Sequence, residues 1–135
     1  MSVTEIVSNF NSQADDLMSQ MYACSLDYDI KVYHEMFKKL KLFNATKAIE
    51  QFILYVLPYK EKIYENDETF FLSKSGEELI GDNSEYTLMQ SLKFKDLWQT
   101  LTNDSKANIF KFFKVMVYFA EEYLKIKLSN NSNYC

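Results

Sequence analysis

The stretch VTEIVSNFNSQADDLMSQMYAC, Val3 to Cys24, decides the fold class. Its apolar residues are Val3, Ile6, Val7, Phe10, Ala14, Leu17, Met18 and Met21. They recur at intervals of three and four, which places them along one side of an α-helix for about six turns. The pattern predicts a first helix over about residues 3 to 24, with its apolar side buried.

Further helical segments follow the first. Asp27 can cap a second helix, in which either Met36 or Phe37 faces inward. A third helix is predicted to run to about Leu57, and a final helix to cover about residues 104 to 127. Helical spacing therefore extends along most of the chain.

The segment VLPYKEKIYENDETFF, residues 56–71, is predicted to be a corner between helices. Pro58 is the only proline in the chain, and it either kinks the third helix or begins the next helical piece. Asn66 or Asp67 can cap the turn that follows. The two phenylalanines at the end of the segment are expected to pack inside.

The composition supports one all-helical domain. The chain has 135 residues, of which 47% are hydrophobic and 25% charged, as in a globular protein. Only two glycines and one proline occur, and β-hairpins and turns draw heavily on both residue types. We predict an all-α fold, a compact single-domain bundle of about five to seven helices over residues 1–128, followed by a disordered tail over residues 129–135.

Several side chains are expected to belong to the core. Trp98, Phe110 and Phe113 are expected to be core residues. Cys24 is expected to be a buried thiol, because free cysteine is among the most buried residue types.

The sequence lacks the residue sets of common enzymes and metal sites. His34 is the only histidine, so it is read as a surface or partly packed side chain. Neighbouring carboxylates on a helix point about 100° apart and do not converge on an ion. No glycine-rich phosphate loop or nucleophile elbow is present. We predict no enzyme activity, no catalytic residue, no cofactor and no metal.

The chain also lacks the signals of secretion and membrane insertion. Its N-terminus has no basic region followed by an apolar run, and no run of eighteen apolar residues occurs. We therefore expect a protein that is not secreted and not inserted in a membrane.

A basic cluster on the second predicted helix is the one candidate partner-binding face. Its residues are Lys31, Lys38, Lys39 and Lys41. Such a face can meet an acidic partner or a nucleic acid, or it can be an ordinary solvated surface. The net charge of −4 and the absence of arginine argue against nucleic acid.

The C-terminal half carries a family resemblance. The stretch SLKFKDLWQTLTNDSKANIFKFFKVMVYFAEEY, Ser91 to Tyr123, combines a KDLW segment, a capped turn, a lysine and an aromatic helix. In this it resembles small uncharacterised proteins of the nucleocytoplasmic large DNA viruses, the giant viruses. The stretch ILYVLPYKEKIYENDETFF, Ile53 to Phe71, is similar to the middle part of such proteins. The resemblance implies a viral origin and an all-helical fold, and it supplies no catalytic residues.

These observations predict a non-enzymatic interaction or structural protein, a component of the virion or the viral factory. Its expected partner is a host or viral protein, or a second copy of the chain. The alternatives are a host-response modulator that binds a partner helix in an apolar groove, and a nucleic-acid-associated factor that uses the Lys31–Lys41 basic face. The expected location is the host cytoplasm, the viral factory or the virion.

Overall fold

The computed structural model describes residues 1–70 and 94–132, which form six α-helices and one 3-10 turn. The elements are α1 (Val3–Ser25), α2 (Tyr28–Phe43), α3 (Lys47–Tyr55), the 3-10 turn (Leu57–Tyr59), α4 (Lys60–Tyr64), α5 (Phe94–Thr100) and α6 (Asn103–Ser132). No β-strand occurs in these two ranges. The predicted all-α fold is confirmed.

Helix α1 is the centre of the packing. Its start is fixed by a capping box, in which Ser2 Oγ accepts from the Glu5 N–H at 3.1 Å and Glu5 Oε1 accepts from the Ser2 N–H at 3.5 Å. It packs most extensively against α6, and next against α2. The buried apolar residues of α1 are Ile6, Val7, Phe10, Ala14, Leu17 and Met21. The apolar side predicted from the sequence is therefore the side that is buried.

The turn from α1 to α2 follows the predicted capping pattern. The chain leaves α1 through Leu26, which adopts the left-handed conformation with φ of 55°. Asp27 then caps α2, its Oδ1 accepting the backbone N–H two residues later at 2.9 Å. Of the two residues that the sequence offered for the inner side of α2, Phe37 is buried and Met36 is exposed.

The segment around Pro58 is a corner of the fold, as predicted. Pro58 lies in the 3-10 turn between α3 and α4. Helix α4 ends in a Schellman motif: Asn66 has φ of 55°, its N–H donates to Ile63 O at 3.1 Å, and the Asp67 N–H donates to Lys62 O at 2.8 Å. Asp67 then caps the next turn by accepting the N–H two residues later at 3.0 Å. Pro58, Asn66 and Asp67 thus each have a local structural role in this corner.

A second corner forms around Trp98, which is completely buried. Its ring meets Phe110 edge to face, with centroids 5.6 Å apart. Its Nε1 donates to Glu68 Oε1 at 2.9 Å, and Lys106 Nζ lies 3.0 Å from the same oxygen. The hydrogen bonds from Lys106 and Trp98 lower the pKa of Glu68. This carboxylate joins the chain before residue 70 to both C-terminal helices.

A row of aromatic rings connects the rest of the core. Phe10 of α1 meets Phe52 of α3 at 5.2 Å, and Phe52 stacks on Phe113 of α6 at 6.1 Å. Phe113 meets Phe70 at 6.4 Å, and Phe70 meets Tyr59 at 5.7 Å. The predicted core positions Trp98 and Phe110 are confirmed as buried, whereas Phe113 packs against the core but is itself half-buried.

The structure corrects one core prediction. Cys24 is exposed, and its Sγ accepts from Ser105 Oγ at 3.1 Å. The expectation of a buried thiol was wrong because Cys24 lies in the last turn of α1. There it meets the first turn of α6, and no further turn of α6 extends past it.

Two predictions depend on the ends of the described ranges. Phe71 and the glycine-containing stretch after it fall outside the described residues, as do residues 133–135. Helix α6 continues to Ser132, past the helix end predicted near residue 127, so the first residues of the predicted tail are helical. No glycine or proline occurs in this region to stop the helix.

Glu121 links the short helix α4 to α6. Its Oε2 lies 3.1 Å from Lys60 Nζ, and its Oε1 accepts from Tyr64 OH at 2.9 Å. Burial alone would raise the pKa of the Glu121 carboxyl, but the hydrogen bonds from Lys60 and Tyr64 bring its pKa below the ordinary value. Burial and the same carboxylate raise the pKa of Tyr64.

We expect Glu121→Gln to flatten the acid side of the stability profile. Because the folded-state pKa of Glu121 is lowered, its contribution to stability is complete above the ordinary glutamate pKa and is lost as the pH falls below that value and through the folded pKa. Over that range of pH the melting temperature of the wild type should fall by about 1 to 3 °C more than that of the variant. Thermal melts by circular dichroism at pH 7, 5, 4 and 3 measure this difference. Parallel curves for the two proteins would contradict the assignment.

Candidate interaction face on the second helix

The four predicted lysines all lie on α2, but they do not form one cluster. Lys31, Lys38 and Lys39 are exposed, whereas Lys41 is half-buried. Lys41 Nζ forms an ion pair with Asp15 of α1, and Lys38 Nζ lies 3.4 Å from Glu35 Oε1. Lys31 and Lys39 have no ion-pair partner among the described residues. The outer side of α2 therefore holds three of the four lysines.

Lys41 instead belongs to a charged contact between α1 and α2. Asp15 holds Lys41 through Oδ2, and its Oδ1 lies 3.0 Å from His34 Nε2. The side chains of His34 and Asp15 are 12% and 21% exposed. His34 is therefore partly packed, which is one of the two positions predicted for it from the sequence. Because one carboxylate serves both groups, the contact fastens α2 to α1.

The outer side of α2 also carries large apolar side chains, which sequence reasoning missed. Tyr28 is 71% exposed, Met36 46%, Leu42 83% and Phe43 89%. Most other aromatic side chains among the described residues are buried or half-buried. Phe43, with 89% of its surface exposed, is therefore unusual among the described aromatic residues.

These residues occupy one side of the helix. At about 100° per residue they fall within an arc of roughly 160°, opposite to the buried Ile30 and Phe37. We call this surface the α2 face; it consists of Tyr28, Lys31, Glu35, Met36, Lys38, Lys39, Leu42 and Phe43. Around the arc, Lys31 and Lys38 form one edge and Met36 and Phe43 the other. The α2 face is thus amphipathic, with a basic edge and an apolar edge.

A groove continues from this face toward α1. It has a volume of about 430 Å³ and passes between the first half of α1 and the turn from α2 to α3. Leu42 lines it together with Val3, Val7 and Ala45, and hydroxyl side chains such as Ser8 line it as well. The lining is therefore a mixture of aliphatic and polar groups.

One signal in the sequence could have indicated the α2 face. The buried face expected for α2 accounts for Ile30 and Phe37, which leaves Tyr28, Leu42 and Phe43 without an inward position in the same helix. Large apolar residues left over after the core has been assigned are candidates for a binding surface. Of the residues on the outer side of α2, only the lysines were predicted as a binding surface.

The described residues contain neither a metal-binding cluster nor a helix that could span a membrane. Within residues 1–70 and 94–132, no three histidine, cysteine, aspartate or glutamate side chains come together in a way that could hold a metal ion. Among the helices of these residues, none is both long enough and apolar enough to cross a bilayer.

The chain is similar to a protein of a giant virus. The chain is 33% identical over 140 residues to the "Uncharacterized protein R465" of Acanthamoeba polyphaga mimivirus, with 98% of the chain and 78% of that protein aligned. The chain belongs to this mimivirus protein family. The resemblance to small proteins of giant viruses is thereby confirmed. No protein-family model and no solved structure matches the chain.

Proposed function

We propose that this viral protein is a non-enzymatic interaction protein, and that it binds a protein partner through the α2 face. It would act in the host cytoplasm, in the viral factory or in the virion. A host protein or another viral protein fits this proposal equally well. The proposal depends on the surface of the described domain and not on the identity of the relative.

The observation that supports this proposal is the exposure of four large apolar side chains on one side of α2: Tyr28, Met36, Leu42 and Phe43. Burial of a large apolar side chain contributes about 1.5–3 kcal/mol, so four such side chains offer roughly 6–12 kcal/mol to a complex. Association itself costs an estimated ~4–15 kcal/mol. The two terms are of similar size, so these four side chains by themselves support at most a weak, reversible complex.

The charges of α2 support a protein partner over a nucleic acid. Lys38 and Lys41 already face carboxylates, Glu35 and Asp15 respectively. Lys31 and Lys39 are left, and two phosphate contacts contribute little affinity at physiological salt. The apolar residues between them would gain nothing from a phosphate backbone. The groove beside Leu42 also gives less support to an apolar helix-binding site, because hydroxyl groups line much of it.

The double variant Leu42→Ser and Phe43→Ser tests the proposal. Both side chains are more than 80% exposed, so the substitutions should leave the fold intact while removing half of the large apolar side chains of the α2 face. We expect quantitative affinity capture from infected cells to show at least about a tenfold loss of a defined set of proteins. Circular dichroism of the purified variant verifies that its helix content is unchanged.

The matched control is Leu54→Ser. Leu54 is 61% exposed on α3, so the leucine-to-serine part of the change is repeated on another surface. The control should recover the same proteins as the wild type. If the double variant and the control recover identical sets of proteins, the α2 face is not the binding surface.

A further inference from the structure

The α2 face has a charge as well as an apolar surface, and the charge restricts the partner. The charged residues of the face are three lysines and one glutamate, namely Lys31, Lys38, Lys39 and Glu35. Its formal charge is therefore +2. The whole chain has a net charge of −4. The face is therefore a local basic surface on an acidic protein.

We infer that the partner of the α2 face is an acidic amphipathic helix of another protein. This inference rests on the proposed function and names the class of partner. Carboxylates of such a helix would meet Lys31 and Lys39, and its apolar side chains would cover Met36 and Phe43 at the apolar edge. Helix α2 is 16 residues long, so a partner helix of about four turns matches it.

A second copy of the chain fits this surface less well. Pairing of two α2 faces would bring two surfaces of +2 together, with six lysines and only two glutamates between them. Like charges at close range suppress association. An acidic helix avoids this repulsion and also gives Lys31 and Lys39 the carboxylate partners that they lack among the described residues.

A membrane surface also fits less well. Glu35 lies in the middle of the exposed arc, between Tyr28 and Leu42. Insertion of the apolar side chains among acyl chains would bring its carboxylate to the hydrocarbon boundary next to anionic headgroups. In a protein complex Glu35 keeps its contact with Lys38 at 3.4 Å.

Two synthetic helical peptides test the inference on the intact protein. Both have 18 residues and the same leucine stripe; one has glutamate at every polar position and the other has lysine. We expect the glutamate peptide to bind at least about tenfold more tightly by fluorescence anisotropy, and its affinity to fall as salt is raised. Equal affinity for the two peptides would overturn the acidic partner.

Charge reversal on the protein locates the contact. Lys39→Glu should lower the affinity for the glutamate peptide by about three- to tenfold. Lys111→Glu makes the same change at an exposed position of α6 and should leave the affinity unchanged. Equal losses in the two variants would show only a general effect of net charge and would overturn the assignment to the α2 face.

Other occupants give different results. A dimer in sedimentation equilibrium that the Leu42→Ser and Phe43→Ser substitutions abolish would replace the acidic helix with a second copy. Binding to phosphatidylserine vesicles that the same variant loses would replace it with a membrane. If neither peptide binds while capture from cells still depends on Leu42 and Phe43, the inference fails and the proposed function stands.

Discussion

Trp98→Ala should lower the free energy of unfolding by about 3–5 kcal/mol. The side chain is completely buried, meets Phe110 at 5.6 Å and donates to Glu68 at 2.9 Å. Its removal leaves a cavity at the corner that joins the chain before residue 70 to α5 and α6. Because small domains have a total stability of about 5–15 kcal/mol, this loss should appear as a fall of roughly 10–20 °C in the melting temperature.

Trp98→Phe is the matched control for this experiment. It retains most of the ring volume but cannot donate to Glu68, so we expect a loss of about 1–2 kcal/mol. Urea denaturation followed by circular dichroism measures the free energy of unfolding of the wild type and of both Trp98 variants. A loss below about 1 kcal/mol for Trp98→Ala would show that this corner does not support the fold.

Phe52→Ala is the other substitution with a large expected effect. Phe52 is 7% exposed and contacts both Phe10 at 5.2 Å and Phe113 at 6.1 Å, so it connects α1 and α6 through α3. We expect a loss of about 3–5 kcal/mol in the free energy of unfolding by urea. The double variant with Phe10→Ala should lose less than the sum of the two single changes, by about 0.5–1.5 kcal/mol, since the two rings interact directly.

Tyr118→Ala gives the comparison for an aromatic ring at the surface. Tyr118 is 50% exposed, although its ring lies 5.2 Å from that of Phe119. Its removal should change the stability by no more than about 0.5–1 kcal/mol. If Tyr118→Ala and Phe52→Ala have similar effects, the aromatic row is not the feature that holds the three helices together.

The parts of the fold that depend on neighbours in the sequence were predictable. Asp27 and Asp67 act on backbone groups two residues away, and Pro58 acts on its own turn. The apolar spacing of α1 also identifies its buried side, since a helix buries a continuous stripe. These features need no knowledge of the rest of the chain.

The candidate site and the corner around Trp98 were less predictable because both depend on contacts between residues far apart in the sequence. Lys41 turns inward to Asp15, which lies 26 residues away, and Trp98 meets Glu68 across 30 residues. Neither pairing leaves a pattern in one sequence. The choice between Met36 and Phe37 was likewise open until the packing of α2 against α1 decided it.

The pairing of α1 with α6 has a consequence for synthesis on the ribosome. Roughly 80 residues separate the end of α1 from the start of α6, and at ~5–20 residues per second their translation takes on the order of ten seconds. During that time the side of α1 that α6 will cover is without its main partner, although α2 and α3 can already pack on the same helix. The nascent domain should therefore be recognised by chaperones until α6 has emerged from the ribosome, and it should become protease-resistant only after that point.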